Sequence, residues 1–223
     1  MSPASPSIEA AFLRSHDSRP LSRWASRVAL LVLLALGACA FNKAEPMALY
    51  DLGPAPAPAQ GRTPSRALPP VQLIDVSAPS WLASAGIAYR LDYADPLRRE
   101  IYRDSRWAAP PAALLAERLR QRLAAEQNSQ AQVQGGATLP LPLPLPLRLE
   151  LEEFGQSFAT PNQSQVRIRL RARLGEGANA RLQVFDVQGP AESADAPGAV
   201  RALNQASERL IEQMLDWLAQ LPR

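Results

Sequence analysis

The chain has 223 residues, with 24 Lys+Arg against 21 Asp+Glu and a formal net charge of +3, enough for one ordinary domain and a leader. So even a balance does not describe a dedicated nucleic-acid binder, although the pI is near 9.5. A hydrophobic fraction of 47% supports a packed core and excludes wholesale disorder. One His (His16) and one Cys (Cys39) exclude an intrachain disulfide and any zinc site built from several Cys or His residues.

The first forty residues read as an address. Arg14, Arg19, Arg23 and Arg27 form a basic opening, Val28 to Leu36 is an apolar run, and the small residues Gly37, Ala38 and Ala40 surround Cys39. That order is a secretory signal peptide over residues 1–38; the apolar run is shorter than the roughly 20 residues a bilayer-spanning helix needs. Leu36-Gly37-Ala38-Cys39 resembles the lipobox of bacterial lipoproteins, which implies cleavage before Cys39 and acylation of that residue. Several acyl chains attach a protein firmly, where one is marginal. Ala40, in place of Asp, resembles a lipoprotein sorted to the outer membrane. Cleavage leaves 20 basic and 19 acidic residues and removes His16. A Ser-His-Asp triad, a Cys-His pair and a His-ligated metal are then excluded. No Walker-type phosphate loop and no G-x-G-x-x-G occurs, so no cofactor is expected. Of the common hydrolytic designs a carboxylate pair survives, with a Ser-Lys variant using Lys43 discounted because Lys43 lies in the tether.

Residues 39–46 read as the lipidated tether and 47–221 as the domain. Ala48 to Leu52 is a first short strand, and 54–70 is a Pro/Ala-rich loop. Val71–Val76, Ile87–Leu91 and Arg99–Arg103 read as strands, with a break at Ala78–Leu82 and a turn at Asp95-Pro96. Pro110 and Pro111 suit a helix start, and Leu115, Leu119 and Leu123 at i+4 predict an amphipathic helix over about 110–125, with Arg118, Arg120 and Arg122 mostly on its other faces. The Leu-Pro segment at 139–146 has Leu at every odd position. A period of two gives polyproline II no single apolar face but puts every Leu on one face of a strand. It is therefore either an edge strand blunted by Pro, or a linker up to Pro146 with a strand after it. Arg148–Phe154, Val166–Leu174 and Arg181–Val187 continue as an antiparallel meander. Asp195 and Pro197 announce a last helix, whose apolar stripe runs from Val200 to Leu221. The fold class is α+β: an antiparallel sheet with two helices packed on one face, preceded by the lipoprotein signal peptide.

Three residue sets are candidates for function. Arg167, Arg169, Arg171 and Arg173 alternate on one strand face and form a candidate anionic-ligand face, or a ladder with Glu150 and Glu152 on the preceding strand. Tyr89, Arg90, Tyr102, Arg106 and Trp107 combine aromatics with Arg, as partner-binding surfaces do, or pack the core and clamp the helix start. Glu150, Glu152, Glu153 and Asp186 form the carboxylate set, around which no substrate pocket can be inferred.

Gly86-Ile87-Ala88-Tyr89-Arg90, followed by Arg103-Asp104-Ser105-Arg106-Trp107-Ala108-Ala109-Pro110, resembles the I-x-Y-R … R-W-A-x-P pattern of the ABC-type transport auxiliary lipoproteins, the PqiC-like family. With the lipobox, Tyr50-Asp51-Leu52, the strand Leu147–Leu151 and the final helix, the resemblance spans roughly 47–221. Trp81-Leu82-Ala83-Ser84-Ala85 and the Leu-Pro run depart from it. The resemblance implies a non-catalytic docking component of a lipid-transport system. Such a protein is lipid-anchored through Cys39 to the periplasmic face of the outer membrane and partners an ABC transporter and a periplasmic MCE-domain protein. A homo-oligomer stays open, nucleic acid is not expected, and the alternative is a structural lipoprotein stabilising another outer-membrane assembly.

Overall fold

A computed structural model describes residues 46–54, 67–133 and 143–221. The leader, Cys39, the tether up to Glu45, most of the Pro/Ala-rich loop and the first half of the Leu-Pro segment lie outside the described residues.

The alternating segment dictates its structure most directly. Val166, Ile168, Leu170, Ala172 and Leu174 are all buried, with the intervening Arg side chains on the opposite face, as the two-residue period of a strand requires. This strand, β6 (Gln163–Leu174), pairs antiparallel with both β5 (Leu145–Thr160) and β7 (Arg181–Pro190). Gly175 and Gly177 take φ of 82° and 63° in the β6–β7 connection, a region open to glycine at little cost.

The N-terminal strands are β1 (Ala48–Tyr50), β2 (Val71–Ser77), β3 (Gly86–Leu91) and β4 (Arg99–Trp107). They join the meander in one seven-stranded sheet of order β1-β4-β3-β5-β6-β7, with β2 also on β5. The fold is α+β as expected, and the sheet is mixed: β1–β4, β2–β5 and β3–β5 are parallel.

Of the Leu-Pro segment only 143–146 is described, and there neither alternative holds as stated: the strand begins at Leu145, before Pro146, and it is not an edge. β5 is interior, flanked by β6 on one side and on the other by β2 at its start and β3 at its end. Leu145 N–H donates to Pro70 O at 2.8 Å, and Pro146 O accepts from Gly175 N at 2.8 Å. The N–H that Pro146 lacks would therefore face the β6–β7 turn, where the ladder ends. A Pro is tolerated there because no ladder bond is lost.

β5 also carries a bulge. Leu151 pairs with Leu170 and Glu153 with Arg169, so Glu152 is an extra residue. Inward positions are odd before it (Leu147, Leu149, Leu151) and even after it (Phe154, Phe158). Glu152 and Glu153 consequently both face away from the core.

Helix α1 (Pro111–Val133) outlasts the expected end near 125. The Leu repeat ends, but Ala, Glu and Gln continue the helix by propensity, and Gln127 Nε2 holds it to β2 through Val71 O at 3.0 Å. Helix α2 (Ala196–Ala219) starts at Asp195, whose side chain accepts from Gly198 N at 2.7 Å. It buries Ala199, Leu203, Ala206, Leu210, Met214 and Leu218. α1 packs on β2 and α2 on β6 and β7, so the core lies on one face of the sheet. Among the described residues no helix covers the other face, called the open face below.

Candidate interaction surfaces

Arg118 is not on an outward face of α1, as the i+4 reading placed it, but only 4% exposed. Its guanidinium donates to the carbonyls of Leu52, Gly53 and Pro54 and to Glu208 of α2, the last at 2.5 Å. Asn204 Nδ2 donates to the same Leu52 carbonyl. One turn along, Arg122 pairs with Glu212. Two stacked ion pairs thus tie the helices together, and the Arg in one of them also grips the segment that leaves β1. Propensity and periodicity gave no signal for this. An Arg on a helix face reads as solvated unless the chain brings carbonyls to it from elsewhere.

The five aromatic and Arg residues do not form one site. Trp107 is 1% exposed, edge-on to Phe154 at 5.6 Å, and donates its backbone N–H to Ala85 O. It is a core residue, and its place in a partner-binding surface is corrected. Tyr89 and Tyr102 are half-buried with ring centroids 4.5 Å apart, and Phe158 stands edge-on to Tyr89 at 5.9 Å. Tyr102 Oη donates to Gln156 Oε1 at 2.6 Å, and Gln156 Nε2 donates to Ser164 Oγ at 2.7 Å. Burial, followed by the neighbouring Tyr89 and Asp195, pushes the Tyr102 hydroxyl well above the ordinary tyrosine range, so it stays a neutral donor. Arg90 follows Tyr89 in a strand and so projects to the opposite, open face. Arg106 is exposed and has no ion pair among the described residues.

The open face carries the Arg row and the carboxylates together. Arg167 meets Asp186 at 2.8 and 2.5 Å, Arg169 meets Glu152 at 2.7 Å and Asp186 at 3.2 Å, and Arg171 meets Glu150 at 3.3 Å and also Glu152. Arg173 is exposed with no ion pair among the described residues. Such exposed pairs stabilise by only about 0.2–1 kcal/mol each. They hold the face in a fixed charge pattern. Asp186 is held below the usual carboxylate range, first by its hydrogen bond from Arg167. A general acid requires a shift in the opposite direction. Glu153 is taken by Arg99, at 2.7 and 2.9 Å.

Among the described residues no group of His, Cys, Asp and Glu could hold a metal ion. No described helix is long and apolar enough to cross a membrane.

The fold and its surfaces define an α+β domain with one sheet face packed by helices and one that is charged and, among the described residues, uncovered. The chain belongs to the family described as "ABC-type transport auxiliary lipoprotein component", whose pattern matches residues 50–215. Two solved structures share the fold. One, a crystal structure of an uncharacterized protein, has a TM-score of 0.54 and 17% identity, covering 78% of this chain and 99% of its own. The other, a Xanthomonas campestris protein of the DUF330 family, has a TM-score of 0.51 and 18% identity, covering 79% of this chain and 87% of its own. At such identities the likeness is one of fold. Curated proteins offer no match to the chain.

Proposed function

We propose that this protein is a non-catalytic docking component, acylated at Cys39 and held on the periplasmic face of the outer membrane, for a system in which an inner-membrane ABC transporter and a periplasmic MCE-domain protein move lipid between membranes. The observation that carries the reading is the family match over residues 50–215. The lipobox at Leu36–Cys39 supports the anchor. The Arg–carboxylate pairing of the open face supports a surface for recognition over one for catalysis. Tyr89, Tyr102 and Arg106 are the proposed partner contacts; they remain accessible at the surface, as Trp107 does not.

A pull-down of the acylated protein from solubilised envelopes, read by protein mass spectrometry, tests this. Enrichment of an MCE-domain protein is expected, and it should fall when Tyr89 and Arg106 are replaced by Ala without loss of fold. Recovery of unrelated outer-membrane proteins alone would refute the transport role and favour the structural lipoprotein. Cys39→Ala is expected to abolish fatty-acid labelling, and the native mass of the same extract decides whether copies associate.

A further inference from the structure

We infer that the open face of the sheet carries a binding site for a singly charged phosphate group, centred on Arg90. The site begins with an absence of side chain. A Cβ built on Gly155 would lie 3.0 Å from the Ala88 carbonyl oxygen and 3.7 Å from the Ala88 Cβ. β3 and β5 thus meet where neither offers more than a methyl group. Taller neighbours leave a hollow of about 210 Å³ above this floor.

The walls are charged. Arg90 comes from β3, Asp92 from the turn after it, Arg99 from β4, Glu153 from β5 and Arg167 from β6. Arg90 and Arg99 are directly opposed across the β3–β4 pair, an arrangement of like charges that destabilises unless each finds a counter-charge. Arg99 has one in Glu153 and also lies 3.6 Å over the Trp81 ring. Arg167 has Asp186. Arg90 has none, and its Nε is enclosed by protein without an acceptor among the described residues. Arg90 as a whole is half-buried and lines the hollow, so the rest of its guanidinium is what the hollow offers to an external oxygen, in the absence of a counter-charge among the described residues.

Charge and shape then select the ligand. The planar fork of Arg matches two oxygens held on one centre, as in a phosphate group. Three guanidinium groups and two carboxylates line the hollow, and Asp186 beside Arg167 makes the set neutral overall. A neutral set in which one guanidinium has no ion pair suits a single negative charge, as on a phosphodiester, over a dianion. A lipid headgroup and free phosphate share this chemistry. The site rests on this geometry and not on the docking role: the pull-down can succeed with the hollow empty, and the hollow can be filled with no partner.

The test is a calorimetric titration of full-length protein in non-ionic detergent. The probes are dimethyl phosphate, inorganic phosphate, acetate and a short-chain phosphatidylglycerol below its micelle concentration. Saturable binding of the phosphate probes is expected. Arg90→Gln should weaken it about tenfold or more, because it removes hydrogen bonds from a charged donor. Arg173→Gln, an equal charge change on the same face, should leave it within about twofold. Gln188→Glu places a negative charge at the far rim of the hollow on an exposed β7 position and should weaken binding severalfold; it serves if Arg90→Gln does not fold. Short-chain lipid binding tighter than inorganic phosphate assigns a headgroup; equal binding assigns free phosphate. The proposal is overturned if no phosphate probe saturates, if Arg90→Gln and Arg173→Gln act alike, or if acetate binds more tightly than dimethyl phosphate.

Discussion

Replacing Arg118 with Ala removes the one side chain that, among the described residues, joins α1, α2 and the Leu52–Pro54 segment. Three backbone carbonyls lose a charged donor, and among the described residues only that of Leu52 keeps a second side-chain donor, Asn204. Glu208, 24% exposed, is left facing the vacated space. Breaking a buried pair in this way costs about 3–5 kcal/mol. For a domain of this size each kcal/mol moves Tm by roughly 2–4 °C, so a loss near 4 kcal/mol lowers Tm by about 8–16 °C. With m near 2 kcal/mol/M, the urea midpoint falls by about 2 M. Arg120→Ala is the control, because Arg120 is exposed and reaches only Glu117 within its own helix; its effect stays below about 0.5 kcal/mol. Urea and thermal unfolding followed by circular dichroism measure both. An Arg118→Ala shift no larger than that of Arg120→Ala would refute the clamp.

Trp107→Ala is expected to cost about 3–5 kcal/mol, the range for a buried aromatic, and any loss of partner binding should track unfolded protein, as a binding assay at several temperatures would read. Gly198→Ala should destabilise by about 1–3 kcal/mol through overpacking, although Ala is the better helix former by about 1 kcal/mol: its Cβ would lie 2.2 Å from Ser193 O. A stabilised variant in thermal melts would show that contact to be soft. Asp195 is held below its ordinary pKa by Ser193 first and then by the Gly198 N–H. Its stabilisation is therefore complete above about pH 4 and is lost as pH falls through the lowered value. Asp195→Ala should cost about 1 kcal/mol at pH 7 and less in unfolding curves below pH 3.

The alternation at 166–174 fixed which side chains enter the core, because period two admits no other arrangement for a half-buried strand. The two helices were legible for a similar reason, as each carries its own apolar repeat. What joined distant segments was not. The parallel partners of β5 come from far upstream, and a Pro-rich run reads locally as an edge because its neighbours are unknown. The bulge at Glu152 is equally silent, since Glu152-Glu153 looks like any acidic dipeptide until Arg169 is placed opposite both. The block from Tyr89 to Trp107 reads as one site only when proximity along the chain stands for proximity in space. Strand geometry sends Tyr89 and Arg90 to opposite faces, and the core takes Trp107. Arg90 kept a functional candidacy, in a different setting from the one its neighbours suggested.

The position of β5 between segments made before it and after it has a consequence for the order of assembly. β5, β6 and β7 can close as hairpins, with Thr160 opposite Gln163 across a tight turn. β2 reaches β5 only across a long stretch of chain: the Ser77 hydroxyl donates to Leu149 O at 3.2 Å over 72 residues. Local closure is fast and distant closure slow. A chain that emerges amino-terminus first therefore presents β2 and β3 before the strand that receives them exists. β3 can close on β4 and β4 can receive β1 at once, but β2 has no partner until β5 is made, and the last-made strands receive the first-made ones. The segment exposed to mispairing during synthesis is then β2 with the free edge of β3.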